Sequence, residues 1–407
     1  MINLKKHASI ALTYFLLVGF LGIFLRMFFV TPIAANFRYV VHAHSHIALL
    51  GWVYLGLTTL IYRLYFMGSS KSRTYLRIFW FTNITIIGML CSFPFQGYAL
   101  YSITFSTLFL IASYFLAWFV IKNIPAEYKD TYSYKCIRTA LWYMVISSIG
   151  PWAIGGVMAT LGNTSIWYKL SIYFYLHFQY NAWFILALCG ILFYVMEKFK
   201  LNIDRRDFKE FFLNANAGFI LTLFLSALWV KPPMIFYFLG GTGALFQLLG
   251  FWYLFRILKR NWPLLKEKLS PFVALLLKIA GFFMVAKILM QLSTGLSYFA
   301  DLSFRFPDFI IGYLHLVFLG IVSICLFAFL KHFRLIRLPK ILFWIYFTGF
   351  LLSEALIFYK GLSQWQGLPF FSDYFGLLVA VSALLPLSVY FILLLTATST
   401  EKEIQDS

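Results

Sequence analysis

The chain has 407 residues, of which 62% are hydrophobic and only 12% charged. So few polar side chains cannot cover so much apolar surface, which excludes a water-soluble globular protein. The formal charge of +19 does not indicate a nucleic-acid partner either, because the basic residues fall in short stretches between long apolar runs.

Apolar runs broken by charged or Pro/Gly-rich turns predict twelve transmembrane helices. Span 1 covers residues 8–30; it is long enough to cross a bilayer and has no small-residue cleavage site of a signal peptide. Spans 2 to 6 cover residues 40–62, 78–93, 98–121, 140–161 and 170–195. Spans 7 to 12 cover residues 212–230, 234–254, 272–296, 309–330, 342–359 and 375–395. Residues 1–407 thus read as a single transmembrane domain of all-α, polytopic type, set in a lipid bilayer.

Loop charge orients the spans. Connections after even-numbered spans carry basic clusters, such as Arg63, Lys71, Arg73 and Arg77, or Lys331, Arg334, Arg337 and Lys340. Connections after odd-numbered spans hold isolated cations, among them Arg38, Lys169, Lys231, Arg305 and Lys360. Basic loops stay on the cytoplasmic side, so both termini are expected inside, in an inner (cytoplasmic) membrane. The alternation runs unbroken through all the spans.

Four cysteines, Cys91, Cys136, Cys189 and Cys325, are scattered without C-x-x-C spacing, which excludes covalent c-type haem and a thiolate metal cage. In span 5, Pro151, Trp152, Gly155 and Gly156 predict a bend and close packing.

Histidine carries the chemistry. His42, His44 and His46 lie on span 2, His177 on span 6 and His315 on span 10, while His7 and His332 sit in basic flanks and read as solvated. All three spans run from outside to inside. His44, His177 and His315 fall four, seven and six residues into them, about 6–10 Å below the outer boundary. The stretches HSHIALLGWVYLGL, YLHFQYNAWFILAL and GYLHLVFLGIVSIC are alike, each a histidine followed by an apolar run. Spans 2, 6 and 10 are the second members of three groups of four, so a weak pseudo-threefold repetition is expected. Imidazole in a membrane needs a partner, and haem or metal ligation supplies one, the alternative being structural hydrogen bonding, to a neighbouring helix for His315 and among Gln179, Tyr180 and Asn181 for His177. His42 and His46 share a helical face, with His44 about 200° away.

Further ionisable residues lie within spans: Lys278 and Lys287 on span 9 and Glu354 on span 11. Lys278 reads as snorkelling toward the cytoplasm. Lys287, with Gln291 one turn on, and Glu354 are candidates for a proton path. Arg38 and Arg305, with Lys231 and Lys360, are candidates to pair carboxylates of a cofactor.

Twelve spans with outward-lying histidines on spans 2, 6 and 10 resemble the catalytic subunit of the haem-copper oxidase and nitric oxide reductase superfamily. His44-Ser45-His46-Ile47-Ala48-Leu49-Leu50-Gly51-Trp52 is similar to the HxHxxxLGW pattern of its cbb-type members, where that pattern lies on helix 10. The resemblance implies His44 and His315 as axial ligands of a low-spin haem b, and His177 as a ligand of a second metal. It also shows departures. Tyr313 stands where the high-spin haem ligand would be, and span 7 lacks the adjacent histidines expected there. The usual oxygen-reducing centre is therefore not encoded, and a second pocket for copper or non-haem iron would draw on His42, His46 and His177. The chain also resembles the NnrS-like membrane haem proteins through His42-Ala43-His44, without that family's later Gly-Arg features.

The expected function is a haem-binding redox protein acting in electron transfer or in reduction of O2 or NO, with a protein or quinol as electron donor. The alternatives are an NnrS-like stress-response protein and a transition-metal transporter using the same histidines. The sequence singles out no catalytic residue.

Overall fold

The computed structural model describes residues 2–399. Twelve helices in it are long and apolar enough to cross a membrane. They are span 1 Leu4–Met27, span 2 Phe37–Tyr65, span 3 Ser72–Gln96, span 4 Leu100–Asn123, span 5 Tyr132–Thr160 and span 6 Ile166–Lys198. Then follow span 7 Arg205–Val230, span 8 Met234–Lys268, span 9 Pro271–Thr294, span 10 Asp308–His332, span 11 Lys340–Gln366 and span 12 Tyr374–Thr398. The protein is an all-α, multi-pass membrane protein. Most helices overrun the apolar runs by a few polar residues, because hydropathy marks the lipid-facing stretch whereas backbone hydrogen bonding continues to the cap. Span 8 extends furthest, fourteen residues past Leu254 to Lys268.

The chain forms two compact units. Of the described residues, the first comprises 2–125 and 326–399, the second 126–325.

In the first unit, aromatic packing joins spans 1, 2 and 11. Phe15 stacks on Trp52 with ring centroids 4.6 Å apart and meets Tyr346 edge-on at 6.0 Å. Glycines permit the close approaches that bind membrane helices together. A Cβ on Gly51 would fall 2.7 Å from Tyr14 Cβ, and one on Gly19 2.8 Å from Pro386 Cβ. His7 is buried, at 3% exposure, and stacks on Phe79 at 3.7 Å. It is therefore not solvated as expected: its position in the chain is flanking, but its ring lies against span 3.

In the second unit, spans 7 and 8 form a hairpin along a stripe of small residues. A Cβ on Gly218 would meet Gln247 N at 2.7 Å, one on Gly243 Thr222 N at 2.6 Å, and one on Gly250 Ala215 N at 2.7 Å. At the basic end Asp207 receives Arg260 at 2.6 Å and Arg256 at 3.5 Å. Span 5 breaks at Ser148, three residues before Pro151, where one α-helix ends and the next starts. The bend is present, but Gly155 and Gly156 face open space; the close contact is at Gly150, whose Cβ would lie 2.4 Å from Ser171 O. Gly243→Val is therefore expected to destabilise the protein by about 3 kcal/mol, since backbone stands in the way. Gly155→Ala and Gly156→Ala should instead gain up to about 1 kcal/mol from the helix preference of alanine. Thermal unfolding of the purified protein separates the two outcomes.

Three spans depart from α geometry in the same manner. Span 2 is π-helical over Ile47–Tyr54, span 6 over His177–Trp183 and span 10 over Leu316–Ser323. Each π segment starts at or one residue after a histidine: His46, His177 and His315. Five residues after each histidine comes a buried small residue, Gly51, Ala182 or Gly320. Alignment on the π segments thus pairs His46, not His44, with His177 and His315. π segments are rare and concentrate at functional positions, and three at one repeat position mark these spans as equivalents.

Candidate functional site

In the first unit, span 2 presents its histidines to two neighbours, as helical periodicity requires. On one face, His42 and His46 meet the aromatic end of span 3 and the turn after it. The His42 ring lies 4.6 Å from that of Tyr98, and the His46 ring 4.3 Å from that of Phe93. His46 Nδ1 donates to His42 O at 2.8 Å, which leaves the lone pair on Nε2, where Tyr98 Oη lies 3.4 Å away.

On the other face, His44 turns to span 1. Its Nδ1 lies 3.1 Å from Val18 O, and a carbonyl only accepts, so Nδ1 carries the proton and Nε2 the lone pair. This is the tautomer in which a histidine ligates metal through Nε2 while a carbonyl holds its other nitrogen. Gly22 makes room for the ring: a Cβ there would sit 3.2 Å from His44 Cε1 and 3.6 Å from an Arg26 guanidinium nitrogen. Arg26, half-buried in the last turn of span 1, acts electrostatically on Glu354 of span 11 and on Tyr374. Glu354 is 6% exposed. The imidazole of His44, the Arg26 guanidinium and the Glu354 carboxylate therefore belong to one end of the first unit. Arg26 lies within the apolar run of residues 8–30, where the sequence alone gives it no partner.

In the second unit, His177 is 1% exposed and both ring nitrogens are engaged. Nε2 donates to Phe219 O at 2.7 Å, and Nδ1 accepts from Asn181 Nδ2 at 3.2 Å. Asn181 Oδ1 in turn lies 3.3 Å from Tyr313 Oη and 3.5 Å from Gln291 Nε2. Span 7 changes from α to 3-10 geometry at Thr222, three residues beyond Phe219. Lys287, at 0% exposure, donates to Gln247 Oε1 at 2.9 Å, and Gln247 Nε2 donates to Thr222 Oγ1 at 2.8 Å. Spans 6 to 10 thus share a buried polar network. Of the polar neighbours apparent around His177 in sequence, Asn181 is the partner, whereas Gln179 donates to Ser147 Oγ at 2.8 Å.

His315 is half-buried in the second unit, at the head of its π segment. Arg38 and Arg305, read as partners for carboxylates of a cofactor, are both exposed. Lys278 lies 4.7 Å from the Trp262 ring, toward the basic end of span 9, which agrees with snorkelling. Among the described residues no three His, Cys, Asp or Glu side chains form a group able to hold a metal ion. His42 and His46 belong to the first unit and His177 to the second. No protein-family model matches the chain, and no curated protein matches it.

Proposed function

We propose that the chain is a haem-binding redox protein of the cytoplasmic membrane, with its basic loops inside and His44 as an iron ligand. One observation carries this reading: His44 is held in the ligating tautomer by Val18 O, beside a glycine that makes room for its ring and an arginine able to pair a propionate. The donor set fits haem b better than a bare ion, because an imidazole and a guanidinium stand together and, among the described residues, no cluster of ligands of the kind a protein-held ion needs accompanies them. When bound, the iron would carry one electron between ferric and ferrous states, toward O2, NO or another acceptor, from a protein or quinol donor. The chain itself supplies the ligand, its orientation and a dry surround. Copper or non-haem iron has less support here, since both His177 nitrogens have protein partners.

Purified from haem-replete cells, the protein is expected to show a reduced-minus-oxidised b-type spectrum with iron and haem in equal amounts. Stoichiometric metal without haem would replace this reading by transition-metal handling; neither haem nor metal would remove both. Haem without turnover of O2 or NO would favour an NnrS-like role. The same spectrum from His315→Ala tests span 10 as a source of a ligand.

A further inference from the structure

Lys287 is the fully buried cation of the second unit, 0% exposed on span 9. It has no carboxylate partner among the described residues, and its hydrogen bond goes to the neutral amide of Gln247 at 2.9 Å. A buried charge without a counter-charge is strongly disfavoured, and ionisable side chains inside membranes are retained for function. An ammonium here has one hydrogen bond and no counter-ion; a neutral amine keeps that bond and adds a lone pair. Both forms fit the site.

The surroundings decide what Lys287 can exchange. His177 on span 6 acts on it electrostatically; span 6 also carries Tyr180, and span 10 carries Tyr313 and the buried Asp308, the two tyrosine rings being 6.3 Å apart. Spans 7 and 8 present Thr222 and Gln247, which do not titrate. The short helix Ser297–Arg305 beyond the end of span 9 carries Asp301 and Arg305. Gln291, one turn from Lys287 on the same face, buries its Oε1 without a hydrogen-bond partner among the described residues. Its amide nitrogen lies 3.5 Å from Asn181 Oδ1, which also accepts from Tyr313 at 3.3 Å. Polar groups therefore continue from Lys287 to within one turn of the end of span 9.

We propose that the second unit holds a proton-binding site at Lys287, reached from the end of span 9 along Gln291, Asn181 and Tyr313. In loading, the amine lone pair takes a proton from hydronium: an N–H bond forms, an O–H bond breaks and water is left. Release is the reverse, and no electron moves. The site requires no cofactor and stands independently of the haem reading.

The test uses the full chain with 13C,15N-labelled lysine in lipid bilayers. Accessible lysines are first dimethylated with formaldehyde and borane, and peptide mass spectrometry identifies the lysine that escapes. Magnetic resonance then follows the Cε and Nζ signals of that lysine over the pH range in which the protein stays folded. The expected result is that Lys287 escapes modification and its signal shifts between two limiting positions as pH changes. Gln247→Leu, which keeps the lysine and removes its acceptor, should displace the midpoint. A signal fixed in one form throughout, an unmoved midpoint in Gln247→Leu, or dimethylation of Lys287 in the folded protein would overturn the proposal. Because protection assigns the signal, the result does not depend on whether Lys287→Gln folds.

Discussion

His44→Ala is expected to leave the purified protein without bound haem while the fold persists. The substitution removes an Nε2 lone pair whose direction is set by the bond from Nδ1 to Val18 O. Loss of a second-shell partner alone typically lowers metal affinity about 10–100-fold, and loss of the ligand itself should exceed that. Gly22→Val offers a milder version. Its Cβ would stand 3.2 Å from His44 Cε1, so the ring must shift although the ligand remains, and haem content should fall with an altered spectrum. His177→Gln provides the contrast. Its nitrogens serve Phe219 O and Asn181, so haem content should stay at the wild-type level. Stability should drop by about 1–3 kcal/mol as buried polar groups lose a partner. Full haem occupancy in His44→Ala would sink the assignment.

The second large effect concerns Arg26 and Glu354. The Arg26 guanidinium supplies the positive charge acting on a carboxylate that is 6% exposed. Arg26→Leu removes a favourable charge acting on that group, and losing one partner of a buried pair lowers stability by up to about 3–5 kcal/mol. Replacing both partners, as in Arg26→Leu with Glu354→Leu, removes the buried acid along with its partner. The double variant should therefore unfold at a higher temperature than Arg26→Leu alone, with a coupling on the order of 2 kcal/mol. Strictly additive losses across this cycle would show that the two charges do not support one another.

What could be read from the sequence was what depends on local composition. Twelve apolar runs gave twelve helices, because in lipid each run must satisfy its own backbone. The opposed faces of His42 and His44 followed from periodicity alone, and the structure turns those residues to span 3 and span 1 as that periodicity requires. What could not be read depends on partners distant in the chain. His7 looks like a flanking residue until span 3 brings Phe79 against it. Gly155 and Gly156 form a small-residue pair indistinguishable in sequence from Gly150, yet only Gly150 touches its neighbouring helix. Gln247 is one polar residue in an apolar run, and its meaning appears only when Lys287 arrives from the next span. The π segments leave no compositional trace, since Ile47–Tyr54 and Leu316–Ser323 are as apolar as any ordinary helix. They also shift the internal repeat by two residues on span 2, from His44 to His46.

A π segment holds one residue more than an α-helix would fit into the same length, and each residue sweeps about 100° around the axis. Such a segment lets span 2 carry an extra residue between Ile47 and Tyr54 without turning the helix on either side by a full residue step. Losing a single codon there would return the stretch to α geometry and leave the upstream imidazoles close to their present neighbours, whereas the same loss in an α-helical part of the span would re-aim them. The same tolerance to insertion and deletion exists at His177 and His315.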